Sequence, residues 1–115
     1  MGRNKKDLIW KTTDYKARAV SLYVQERDHI CNHQMMQNNF NAVYDTVSSP
    51  DSVYASSQNS NREVFFKASA EATYYRSCIT KVIVEYPMNG DEGHVVTAFP
   101  QKKEEGGINE KLYSK

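Results

Sequence analysis

Three histidines (His29, His33, His94) and two cysteines (Cys31, Cys78) are the side chains of this chain best suited to proton transfer or metal binding. His29, Cys31 and His33 fall within the run Asp28-His29-Ile30-Cys31-Asn32-His33. Four residues apart, His29 and His33 would share one face of a helix, as zinc-binding histidines can. Cys31 would then point elsewhere, and only His94 and Cys78 remain to complete a set. Structural zinc needs about four ligands, so no metal is expected. A purely structural alternative has one histidine capping or preceding the helix and the other packing against a sheet.

Metal-free cleavage of RNA is the sharper reading. Attack by a 2′-hydroxyl needs a group to take its proton, a group to protonate the leaving 5′ oxygen, and donors to hold the phosphorane. Histidine suits the first two tasks, because its pKa lies near neutrality. Arginine and lysine suit the third. The chain offers His29, His33, Arg62, Lys67 and Arg76, with hydroxyls at Tyr54, Tyr75 and Thr97. Lys67 follows Phe65-Phe66 and shares a strand face with Phe65, which places it either at an anion or at a sheet edge that resists strand addition. Thr97 shares a face with Val95 and Phe99, as a phosphate donor or as an ordinary β-former. Residues 1–18 carry six basic and two acidic side chains, interleaved with Trp10 and Tyr15, a pattern that suits either a nucleic-acid backbone or a solvated terminus.

These residues must be positioned by a small set of elements. Leu8-Ile9-Trp10 begins an extended segment, and Ala19 to Val24 alternates with the period of a strand. Met36, Phe40, Val43, Tyr44 and Val47 follow helical spacing, and Ser48-Ser49-Pro50-Asp51 ends that helix. Four strands are expected next: Ser52–Ser56, Arg62–Ala68, Ile79–Tyr86 and His94–Phe99, with an Asn89-Gly90 turn before the last. The expected architecture is therefore α+β, with an N-terminal strand/helix region and one main helix packed on an antiparallel sheet of about four strands. The organisation predicted is a basic segment 1–17, a domain over 18–100 and a polar tail 101–115.

Composition sets the outer limits. The length of 115 residues suits one core, and 11% aromatic content separates the chain from disordered ones. A formal net charge of +1 excludes a protein that coats nucleic acid, but not one that touches a few phosphates. No apolar run approaches the ~18–20 residues of a membrane span. With two cysteines far apart and no apolar leader stretch, a cytoplasmic protein with reduced thiols is expected.

Several pieces, in order, resemble a known family. Asp28-His29-Ile30-Cys31-Asn32-His33, then a helix, then Val47-Ser48-Ser49-Pro50-Asp51-Ser52-Val53-Tyr54, resemble the "HI…H" and "PD-x-V" pattern of phage-associated nuclease-like domains. Those domains are placed in the Barnase–EndoU–Colicin–RelE superfamily. Phe65-Phe66-Lys67, Lys81-Val82-Ile83-Val84 and Val95-Val96-Thr97-Ala98-Phe99-Pro100 resemble its later strands. The resemblance spans about residues 18–100. It implies a helix-plus-sheet domain with metal-independent, toxin-like ribonuclease activity and no cofactor. It further implies catalytic roles for His29, His33, Lys67 and Thr97, and a phosphate-facing role for Arg62. Tyr54, Tyr75 and Arg76 are the remaining candidates for substrate contact. Expected partners are RNA, tRNA among its forms, and a small immunity or antitoxin protein, with no membrane. The alternatives are a non-catalytic RNA- or protein-binding module and a phage structural or assembly protein on the same fold.

Overall fold

The computed structural model describes residues 8–31, 41–68, 79–88 and 92–115. Within them run β1 (Leu8–Thr13), β2 (Ala19–Tyr23), α1 (Val24–Cys31), α2 (Asn41–Ser48), β3 (Ser52–Ser56), β4 (Arg62–Ala68), β5 (Ile79–Glu85), β6 (Gly93–Gln101) and β7 (Ile108–Ser114). The strands form one seven-stranded sheet in the order β1-β2-β6-β5-β4-β3-β7. All neighbours are antiparallel except β2 and β6, which pair in parallel.

This corrects the expected architecture of one main helix on about four antiparallel strands. Among the described residues the sheet is mixed and seven-stranded, and both helices are two turns long. Two additions account for the difference. The β1–β2 hairpin joins the meander along β6, and Ile108–Ser114, read from sequence as part of a polar tail, forms β7 on the opposite edge. Of the helical stripe expected from Met36 onward, Val43 and Val47 are buried and Tyr44 is exposed; Met36 and Phe40 lie outside the described residues.

Both helices cover one face of the sheet. Ile30 of α1 and Val43 and Val47 of α2 pack with Val20 and Leu22 of β2, Val53 of β3, Phe65 of β4, Val82 and Val84 of β5, and Val95 and Ala98 of β6. The alternation of these residues along each strand is the period-two pattern of a half-buried strand. Lys67 closes α2: its Nζ donates to the Ser49 carbonyl at 2.7 Å, where a helix end leaves acceptors unpaired and favours a cation.

The tip of the β1–β2 hairpin shields the end of this face that the helices leave open. Asp14 begins the turn with a side chain that has no solvent exposure. Its carboxylate accepts hydrogen bonds from the backbone N–H of Lys16 (2.8 Å) and Arg18 (2.9 Å), from Arg18 Nε (2.8 Å) and from the Tyr86 hydroxyl (2.5 Å). These bonds hold Ala17 at φ 61°, a left-handed conformation that costs a residue with a Cβ about 1–2 kcal/mol. Arg18 continues outward. Its guanidinium lies 3.9 Å from the centre of the Tyr86 ring and donates to Glu63 at 2.9 and 3.1 Å. Tyr15 also donates to Glu63, at 2.7 Å, and meets Phe65 edge-on. The hairpin is thereby tied to β4 and to the end of β5. Among the described residues no helix is long and apolar enough to cross a membrane.

Candidate active site

The face of the sheet away from the helices carries the polar side chains. Strand alternation assigns it Arg62, Val64 and Phe66 of β4, and Lys81, Ile83 and Glu85 of β5. From β6 it takes His94, Thr97 and Phe99. A bulge between Ile83 and Val84 inserts Val96 opposite that step, which lets His94 and Thr97 share this face although they are three residues apart.

At one end of this face three adjacent strands present a row of ionisable groups. Arg62 pairs across the ladder with Glu85, and Glu85 with His94. Arg62 Nε donates to Glu85 Oε1 at 2.9 Å, and His94 Nε2 stands 3.7 Å from Glu85 Oε2. The three side chains are 35%, 26% and 17% exposed, so they are held by neighbours yet open to a ligand. Thr97 stands one step further along β6, opposite Ile83.

The row continues toward β1. Ser21 of β2 is in register with His94. Ser21 and Tyr23 donate to Glu92 at 2.8 and 3.2 Å, and Lys11 of β1 reaches the same carboxylate at 2.7 Å. The hydrogen bond from Lys11, above all, holds the Glu92 carboxyl below its ordinary pKa. Ionisable groups thus follow one another from Lys11 of β1 through Glu92, His94 of β6 and Glu85 of β5 to Arg62 of β4.

The other end of the face lies beneath a strap, residues 102–107, that carries the chain from β6 across the sheet to β7. Lys81 lies under it, 6% exposed, with Nζ donating to the carbonyls of Glu105 (3.0 Å) and Gly106 (2.8 Å). The rings of Phe66 and Phe99 flank this ammonium, at 5.9 and 5.3 Å. Burial pushes the Lys81 pKa down, partly opposed by the charge of Glu105.

The candidates read from sequence divide between the two sides of the sheet. Arg62, Thr97 and Tyr54 share the open face; Tyr54 on β3 lies in the cross-strand row of Val64, Ile83 and Thr97, and its hydroxyl donates to Glu104 of the strap at 2.8 Å. His29 is exposed in the last turn of α1, on the helix side, and Lys67 is engaged at the end of α2. The structure therefore does not bring His29 or Lys67 to Arg62 and Thr97. His33, Tyr75 and Arg76 lie outside the described residues.

Glu85 was not singled out from the sequence, and His94 entered there only as a leftover ligand for a metal. The available signal was the turn: in an antiparallel pair, residues flanking the connection face each other, and Glu85 and His94 flank the segment 86–93. Chemically the row offers a carboxylate, an imidazole and a guanidinium within reach of one another. That set can accept a proton, donate a proton and bind an oxyanion without a metal.

Comparisons with family models, with curated proteins and with solved structures give no significant match to this chain. The chemistry of the open face therefore carries the functional reading.

Proposed function

We propose that the open face is a metal-independent RNA-cleaving site centred on Glu85, His94 and Arg62. The observation that supports this reading is the partly exposed cross-strand row, in which Glu85 stands 2.9 Å from Arg62 and 3.7 Å from His94. Glu85 takes the proton of the 2′-hydroxyl as its oxygen bonds to phosphorus. Protonated His94 gives a proton to the 5′ oxygen as the P–O5′ bond breaks. Arg62 holds a non-bridging phosphate oxygen, exchanging part of its contact with Glu85 for the ligand, and Thr97 donates a further hydrogen bond. The products are a 2′,3′-cyclic phosphate and a 5′-hydroxyl. Such an activity is toxin-like, acts in the cytoplasm, and calls for a small inhibitory protein in the cell that makes it.

The test is cleavage of total RNA and of tRNA in EDTA. Glu85→Gln and His94→Ala each lose about 10²–10⁴-fold in rate, the span of general acid–base catalysis, while His29→Ala and Lys67→Ala retain the wild-type rate. Inert wild-type protein, or a Glu85→Gln variant as fast as wild type, refutes the reading. A second reading, a non-catalytic RNA- or protein-binding module, is favoured by the Arg62 contact that already engages Glu85. It predicts RNA binding that falls steeply with salt, without turnover.

A further inference from the structure

The strap seats a carboxylate of the chain itself on two hydroxyl donors of β3. Glu104 accepts from Ser52 Oγ at 2.6 Å and from the Tyr54 hydroxyl at 2.8 Å. Ser52 is 2% exposed, and its register partner Phe66 is in turn the partner of Lys81. The two hydroxyls thus stand on β3 and the buried Lys81 ammonium on β5, with Phe66 of β4 between them. Lys111 of β7 adds a second cation, 5.4 Å from the centre of the Tyr54 ring. An ammonium held away from water by two neutral carbonyls is costly, and an apolar side chain of similar length would fill the same space without that cost.

The occupant stands at the surface. Glu104 and Glu105 are exposed on their outer side, and the strap turns on Gly106 and Gly107 at φ 87° and 67°. Gly106 also permits the approach to Lys81, since a Cβ there would stand 3.0 Å from Nζ. Besides Lys81, the strap is fastened by Gln101 Nε2 donating to the Glu105 carbonyl (2.6 Å) and by the Ser57 N–H donating to the Gly107 carbonyl (2.8 Å).

From this geometry we infer that Ser52 and Tyr54 form an oxyanion-binding seat that Glu104 fills as a tethered occupant, with the Lys81 ammonium two strands away under the same strap, and that a free carboxylate or phosphate group takes its place when the strap lifts. The seat is separate from the Arg62–Glu85–His94 row and does not depend on the cleavage reading. A tethered group competes at an effective concentration in the millimolar range or above, so the intact chain masks the seat from dilute ligands.

The experiment removes the tethered occupant. Wild type, Glu104→Ala and Glu104→Gln are titrated with inorganic phosphate and, separately, with acetate, following backbone amide resonances. Both variants are expected to bind one of these anions at least tenfold more tightly than wild type, with the largest shifts at Ser52, Tyr54 and the strap. The tighter of the two anions identifies the ligand as phosphate or carboxylate. Adding Ser52→Ala and Tyr54→Phe to Glu104→Gln abolishes that gain. The inference is overturned if neither variant binds phosphate or acetate more tightly than wild type, or if the shifts map to other residues.

Discussion

Replacing Tyr86 with phenylalanine removes one donor from a carboxylate that water cannot reach. Asp14 keeps three donors, the two backbone N–H groups and Arg18 Nε, but loses the hydroxyl at 2.5 Å. A hydrogen bond to a charged group is worth about 1.5–3 kcal/mol, and the ring that supports Arg18 is retained. Tyr86→Phe is therefore expected to lower unfolding free energy by about 1.5–3 kcal/mol in urea titrations at pH 7. Near this chain length that corresponds to roughly 6–12 °C in Tm. The loss also depends on pH. Burial first, and then the bond to Asp14, raises the Tyr86 pKa above its ordinary value of 10.0. A raised folded pKa gives stability that is complete below the unfolded value and lost as pH rises beyond it. The gap between wild type and variant should hold to about pH 10 and narrow above it. Tyr15 is raised in the same direction and remains in the variant, and the lowered Lys81 acts with the opposite sign, but both contributions are common to the two proteins and cancel in the gap. A change below about 0.5 kcal/mol, or a gap that stays constant from pH 8 to 11, would refute the role given to this hydroxyl.

Two further outcomes test the frame around the site. A Cβ at Gly93 would stand 2.7 Å from Cδ1 and Cε1 of Tyr86 and 3.3 Å from the Glu85 carbonyl, so Gly93→Ala should cost about 1–3 kcal/mol in the same titrations; a neutral effect would show that the ring moves aside freely. Glu92→Gln should be less stable than wild type at pH 7. Because the folded pKa of Glu92 lies below 4.5, that difference should persist above this value and close as pH falls through the folded pKa; urea midpoints that differ equally at pH 7 and pH 3 would count against the Lys11 contact.

The strands of the meander were legible because burial on one side imposes alternation. Val53, Phe65, Val82 and Val84 mark β3, β4 and β5, and all of them are buried. The edge strand β7 was hidden for the converse reason. In Ile108–Ser114 only Ile108 and Tyr113 are partly covered, and Asn109 to Leu112 are exposed, so no pattern separates it from a polar tail. Helix α1 was legible only as part of an N-terminal strand/helix region without bounds, because it sends only Ile30 fully into the core. The parallel contact of β2 with β6 has no local signature, since its partners lie about seventy residues apart in sequence. At the site, alternation placed Arg62 correctly on its strand. It could not reveal Glu85 and His94 as its partners, because that requires the register of two ladders. Lys67 shares a face with Phe65 as read from sequence, but that face looks toward the end of α2.

The parallel contact is also the shortest strand ladder among the described residues. Its ladder pairs only Val20 with Gly93 and Ser21 with His94, whereas β4 and β5 pair along seven residues. Closing that seam requires a long loop to be drawn in for a short hydrogen-bonded return, so the β1–β2 hairpin should dock after the β3–β6 meander has formed. The same asymmetry makes the hairpin a natural unit of partial opening, with Asp14, Arg18 and Glu63 as its latch. Amide protons of β1 and β2 should accordingly exchange with solvent well before those at the centre of β5, while most of the remaining sheet stays closed.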